Sequence, residues 1–418
     1  MAFRAPSRSA ACRIVVAAAM LAPGPLAWAQ TAAEDTVRSR YPPPEYKPLG
    51  VDIGYGETLL LFPKAQISVS HTDNLFRDGA DRVADQIVTF APSLDLKSDW
   101  DNHVLEAGVR AEIGNHIDNP DEDYVDASAR LRTRIDVSED DKLDIETLAS
   151  RRHEDRSSRD DTNEREPTIF HVVSGKLTAE HQGGAVLLRL SGLVERQDYE
   201  DNGLIDNDDR DRLQSEIRLR AGYEIVEAAQ PFIEVAANRR DFDVVIDNDG
   251  IRRGSEGYEV LAGNTVDLSG VTFLEGAVGY RVQTFDEPSF ADVTGPTFKG
   301  RAVWNATDLL TLTLRLDRRI DETTIADSAA VTVTEASLAA DYAPLEHLLA
   351  TARVGFGNDD FEGSGDVDQR WRVDLGIEYL IGSNFVVGAS YSHDRRSTSD
   401  ETGDFIANDF VFRFTSQL

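Results

Sequence analysis

The side chains of this sequence that could do chemistry are its arginines and carboxylates, and they stand at every second position. From Tyr124 to Val137, Asp126, Ser128, Arg130, Arg132, Arg134 and Asp136 share one parity, while Val125, Ala127, Ala129, Leu131, Ile135 and Val137 share the other. The same alternation sets Glu216, Arg218 and Arg220 against Ile217, Leu219 and Ala221. It also sets Arg315 against Leu314 and Leu316, and Arg372 and Asp374 against Val373 and Leu375. Arg301, Asp144, Glu146 and Glu234 extend these rows. Two readings are open. The rows pair across strands and stiffen a wall, or they face water and hydrogen-bond the hydroxyl and acid groups of a solute in transit.

Other chemistry is hard to build. The eight histidines, His71, His103, His116, His153, His171, His181, His347 and His393, show no metal-ligand spacing. There is no His-Glu-x-x-His, no Gly-x-Ser-x-Gly and no phosphate-binding glycine loop. His171 with Ser174, or His153 with Asp155, are letters that polar strands and loops supply anyway. Asp247-Asn248-Asp249-Gly250 opens like a calcium loop, but Tyr258 stands where the closing Glu belongs. The acidic stretches Asn119 to Asp123 and Asp206 to Asp209 are explained more simply as solvated loops than as divalent-cation sites. No enzyme activity, cofactor or metal is expected.

The elements that must carry these rows follow from composition. With 75 acidic against 43 basic residues and a net charge of -32, the 418-residue chain is not built to neutralise phosphates, so nucleic acid is excluded as a partner. Its 41% hydrophobic content is too high for an acidic disordered chain. Beyond the N-terminus no run approaches the roughly 18 apolar residues of a spanning helix. Mean hydropathy is -0.36, yet transmembrane strands alternate and so give weak hydropathy signals. Arg4, Arg8 and Arg13, then the apolar stretch from Ile14 to Leu26 and Ala27-Trp28-Ala29, read as a secretory signal peptide over 1–29. The only cysteine, Cys12, lies within it. Residues 30–63, with Pro42-Pro43-Pro44, read as a periplasmic tail.

From 64 to 418 the alternating segments run about 10 to 14 residues, close to what crosses a bilayer at a tilt. About eighteen of them are expected, or sixteen if the segments near Gly263 and Gly300 are not strands. Long polar connections, such as His153 to Glu166, Asp321 to Ser328 and Asn358 to Asp368, alternate with short turns such as Ser138 to Asp141. Short periplasmic turns and long outer loops are the pattern of an all-β, transmembrane antiparallel up-and-down barrel. Only a closed sheet leaves no unpaired edge in hydrocarbon. Phe410, Phe412 and Phe414 alternate toward Leu418, which is similar to the C-terminal signal by which the barrel-assembly machinery recognises its clients.

Several local patterns resemble one family, that of putative β-barrel porin 2, outer-membrane barrels associated with exopolysaccharide genes. They include Asp73-Asn74-Leu75-Phe76-Arg77, Ala91 to Trp100, Asn238 to Asp243, Trp304 to Thr307, Arg318 to Thr323, Tyr379 with Ile381 to Asn384, Tyr391 with Arg395-Arg396, and Phe405 with Asn408. His71, Phe405 and Leu418 depart from the usual aromatics. The resemblance implies a pore in the outer membrane of a Gram-negative bacterium, in contact with its lipids and lipopolysaccharide. It further implies export of a surface polysaccharide with periplasmic export proteins as partners. The alternatives from fold alone are a general diffusion porin and a plugged structural barrel. In each, the expected lining is Arg130, Arg132, Arg134, Asp136, Glu216, Arg218, Arg220, Arg315, Arg372 and Asp374.

Overall fold

The structure, a computed structural model, describes residues 46–54, 59–161, 166–203, 205–226, 228–268, 270–399 and 403–418. The signal peptide expected over 1–29 and the tail up to residue 45 lie outside the described residues. A two-residue strand, β1 (Val51–Asp52), precedes eighteen long ones. These are β2 (Leu59–Thr72), β3 (Asp85–Ser98), β4 (Val104–His116), β5 (Tyr124–Asp136), β6 (Asp141–His153) and β7 (Ile169–Gly183). They continue with β8 (Val186–Tyr199), β9 (Arg212–Tyr223), β10 (Ala229–Phe242), β11 (Ser255–Leu268), β12 (Thr272–Phe285) and β13 (Val293–Asn305). The last are β14 (Leu310–Asp321), β15 (Ala330–Leu345), β16 (Leu348–Glu362), β17 (Val367–Ile381), β18 (Phe385–Thr398) and β19 (Phe405–Gln417).

Each strand pairs antiparallel with its neighbour in sequence, and β19 pairs with β2, so the sheet closes. Parity decides the two faces. Large apolar side chains such as Ile67, Val69, Leu131, Val173, Ile217 and Val278 are exposed on the outside, where a charge at mid-bilayer would cost about 2–4 kcal/mol. Exposed Trp304, Tyr342, Tyr379 and Phe385 cluster near the short turns, and Tyr258, Tyr280 and Trp371 toward the long loops. These form the two aromatic girdles of a membrane barrel. The segments near Gly263 and Gly300 are strands, giving eighteen in the wall. A Cβ at Gly263 would come within 2.4 Å of the Phe232 ring, so this glycine makes room inside the barrel.

The wall begins at Leu59, ahead of the boundary expected at 64. Below the end of β19, where Leu418 donates to the Pro63 carbonyl (3.2 Å), β1 takes its place beside Leu60 and Leu61. At the outer end of the same seam the motif Asp73 to Arg77 ties the first strand to the last. The buried Asn74 amide donates to the carbonyls of Asp78 (2.7 Å) and Ile406 (2.9 Å). Asn408 donates to Asp73 (2.7 Å) and accepts from the Tyr391 hydroxyl (2.8 Å). Arg77, with φ of 55°, pairs with Asp409 at 3.0 Å.

The connection expected from Asn358 to Asp368 is shorter than the sequence suggests. Asn358, Asp359 and Asp360 are paired within β16, leaving only 363–366 between strands.

Candidate functional site

The inner face of the barrel is polar and divides into two sectors. Over β9 to β14 the charges form a dense lattice. Arg218 bonds Glu216 (3.0 Å), Glu259 (3.0 Å) and Glu234. Arg220 bonds Glu234 (2.8 Å) and Glu275 (2.9 Å), and Lys299 reaches Glu259 (3.2 Å). Glu259 also receives Arg281 at 2.8 Å. Glu234 and Glu259 are buried, which carboxylates tolerate only with cations and donors around them. The lattice sits above an apolar floor of Phe232, Leu261 and Ala277, with the Arg220 guanidinium 3.9 Å above the Phe232 ring. Arg315 projects from the same face, beside Arg301 and Ser337 in the register.

The second sector runs from β17 through β2 to β6 and is more open. Arg130 reaches Asp95 (2.8 Å), Arg132 reaches Asp144 (3.3 Å) and Glu106 (3.8 Å), and Arg134 lies 3.0 Å from Asp136. Arg372 bridges Asp374 and Asp394, each at 2.9 Å. Gly108 lies between Asp95 and Arg130, and a Cβ there would meet both, at 2.6 and 2.9 Å. The structure therefore places all ten expected lining residues on the inner parity. It distributes them over both sectors instead of gathering them into one site.

What the sequence did not reveal is the fate of two loops. The β6–β7 loop leaves the wall at Glu154, whose carboxylate is held by Arg210 of the β8–β9 loop (2.8 and 3.0 Å). Arg156 then pairs with Glu122 (2.6 Å) and Asp161 (3.2 Å). Arg159 crosses to the far wall, donating to Asp321 at the end of β14 (3.0 Å) and to Asp359 of β16 (3.3 Å). β7 and β16 stand nine strands apart in either direction round the ring, so the loop spans the lumen.

The β14–β15 loop folds inward to meet it. Its Glu322 takes Gln214 (3.2 Å), Arg212 and Arg240 from β9 and β10. The buried Arg253 of the β10–β11 loop donates to the carbonyls of Thr323, Ile325 and Ser328 at 2.9 to 3.2 Å. Asp160 joins the two loops, accepting from the hydroxyls of Thr323 (3.2 Å) and Thr324 (3.0 Å). Inward-facing Val331, Val333 and Phe361 are buried on the wall to which Arg159 is tied.

Asp359 is thus a lumenal partner, although its polar run reads as loop in the sequence. Glu259, Glu275, Arg281 and Lys299 were likewise absent from the expected lining, yet the period-two pattern of their strands places them on it. The crossing loops carry no such signal.

Among the described residues, Asp201, Asp206 and Asp208 are close enough to share a cation, but all three are exposed and nothing else marks a site there.

The family described as putative beta-barrel porin 2 matches residues 43–418. No curated protein matches the chain. Among solved structures, the Pseudomonas aeruginosa outer membrane protein OpdK is 14% identical, with 86% of this chain and 99% of that chain covered and a TM-score of 0.45. OccK2 (OpdF) of the same organism is 14% identical over 87% and 99%, with a TM-score of 0.48. Its ferric enterobactin receptor PfeA, as a double mutant, is 8% identical over 86% and 80%, with a TM-score of 0.45. These likenesses are of fold.

Proposed function

The chain belongs to the putative beta-barrel porin 2 family, and from that membership and its lumen we propose that it is a passive outer-membrane conduit for small hydrophilic solutes. Barrels of 16 to 18 strands are too wide for side chains to fill and enclose water. The observation that carries the size limit is Arg159, which pins a loop across the lumen to Asp321 and Asp359. Export of a polysaccharide, the role that the resemblance implied, is less well supported, because a polymer in transit would need both inward loops displaced.

The full chain reconstituted in liposomes tests this reading. Swelling in isotonic monosaccharide is expected to be rapid and to fall steeply through di- and trisaccharides. Heat-modifiable, folded protein that gives no swelling with any of them would overturn the proposal. Lost secretion of a surface polysaccharide on deletion of the gene, with small-solute uptake unchanged, would favour export instead.

A further inference from the structure

The chain carries a net charge of -32, which would suggest a pore for cations. The lumen argues otherwise once the depth of each charge is considered. In the open sector most of the paired carboxylates lie back against the strands, while their guanidiniums extend over them into the water. The Arg130 side chain is 66% exposed against 30% for its partner Asp95. Arg132 is 42% exposed against 22% for Asp144, although Glu106 is as exposed as Arg132. Arg372 is 43% exposed against 25% for Asp374 and 14% for Asp394. Arg134 and Arg110 stand in the same relation to Asp136 and Glu112. Lys176 with Glu146, and Arg77 with Asp409 at the outer rim, run the other way.

The wall is therefore a double layer, negative beneath and positive at the water. A solute within a few ångströms is governed by the nearer layer. Acidic loops outside face bulk electrolyte, where charge is screened over about 8–10 Å. Arg130, Arg132 and Arg134 are spaced by two residues along β5, which is about 6.8 Å per step, and they descend toward the periplasmic turn. Arginine is weakly hydrated, and its planar fork matches a carboxylate with two parallel hydrogen bonds.

We propose that this arginine surface makes the lumen selective for anions, with small carboxylates as the class of solute it guides. The inference rests on the conduit reading and deepens it. Its test is the reversal potential of the full chain in a planar bilayer under a potassium chloride gradient, with succinate then added as a probe. Chloride is expected to permeate better than potassium, and succinate to reduce the chloride current in a dose-dependent way. Arg130→Gln with Arg132→Gln is expected to lower the chloride-to-potassium permeability ratio roughly twofold or more and to abolish the succinate effect. Asp95→Asn, which removes a recessed acid, is expected to raise that ratio.

Conducting wild-type channels that prefer potassium or show no preference would overturn the inference and leave the conduit standing. So would a ratio unmoved by Asp95→Asn. Folded protein that never conducts would overturn the conduit reading and this inference with it.

Discussion

Replacing Arg159 by alanine removes the side chain that, among the described residues, ties the β6–β7 loop to both β14 and β16. Its guanidinium donates to Asp321 at 3.0 Å and to Asp359 at 3.3 Å, and all three side chains are largely buried. Breaking a buried pair so that a charge is left alone costs about 3–5 kcal/mol, but neither acid would be left alone. Asp321 keeps Arg319 at 3.1 Å and Asp359 keeps Arg370 at 2.9 Å. The loss is then better set by a hydrogen bond to a charged group, about 1.5–3 kcal/mol. At about 1.4 kcal/mol per tenfold, the ratio of pinned to released loop falls roughly 10- to 100-fold. The contacts of Asp160 with Thr323 and Thr324 remain, so the loop loosens without being lost. Single-channel recording is the assay: Arg159→Ala is expected to conduct more than the wild type and with more open-state noise. Arg159→Lys, which keeps the charge without the fork, is expected to fall between them. Identical conductance and noise in wild type and Arg159→Ala would refute the claim that the crossing loop sets the passage.

Three further outcomes follow from the geometry. Asn74→Ala removes an amide that bonds Asp78 and Ile406 at the closure of the barrel, at a cost of about 1–3 kcal/mol. The temperature at which the folded band disappears in gel electrophoresis should drop, whereas an unchanged temperature would deny the seam this role. Gly108→Val places side-chain atoms where Arg130 bonds Asp95. That pair is water-exposed and worth at most about 1 kcal/mol, so the barrel should fold normally while Arg130 is displaced into the lumen and conductance falls. Arg253→Gln removes the donor that gathers the β14–β15 loop. Limited proteolysis of intact cells should then cut between residues 322 and 329, where the wild type resists.

The barrel was legible because lipid on one side and water on the other impose a period of two, as β5 illustrates from Tyr124 to Asp136. Where the signal weakened, as at Gly263, a missing side chain makes space for the Phe232 ring. The polar run at Asn358 to Asp360 misled for a related reason. Asp359 serves partners inside the barrel and meets Arg159 from 200 positions away, while Asp360 accepts from Asn358 on the other face of the strand. Contacts of that separation leave no periodic trace, so the lining could be read from the sequence and the loops across it could not. The motif from Asp73 to Arg77, which carried only a resemblance in the sequence, acquires a physical role at the seam with Asn408 and Asp409.

Water and small solutes are expected to pass through this lumen despite the loops that cross it. The most direct measurement is the current through a planar bilayer after insertion of purified, heat-modifiable wild-type protein. Discrete, reproducible conductance steps are predicted. A bilayer that has demonstrably taken up folded barrel and shows no current above the lipid leak would mean that the crossing loops close the lumen and that the protein is not a conduit.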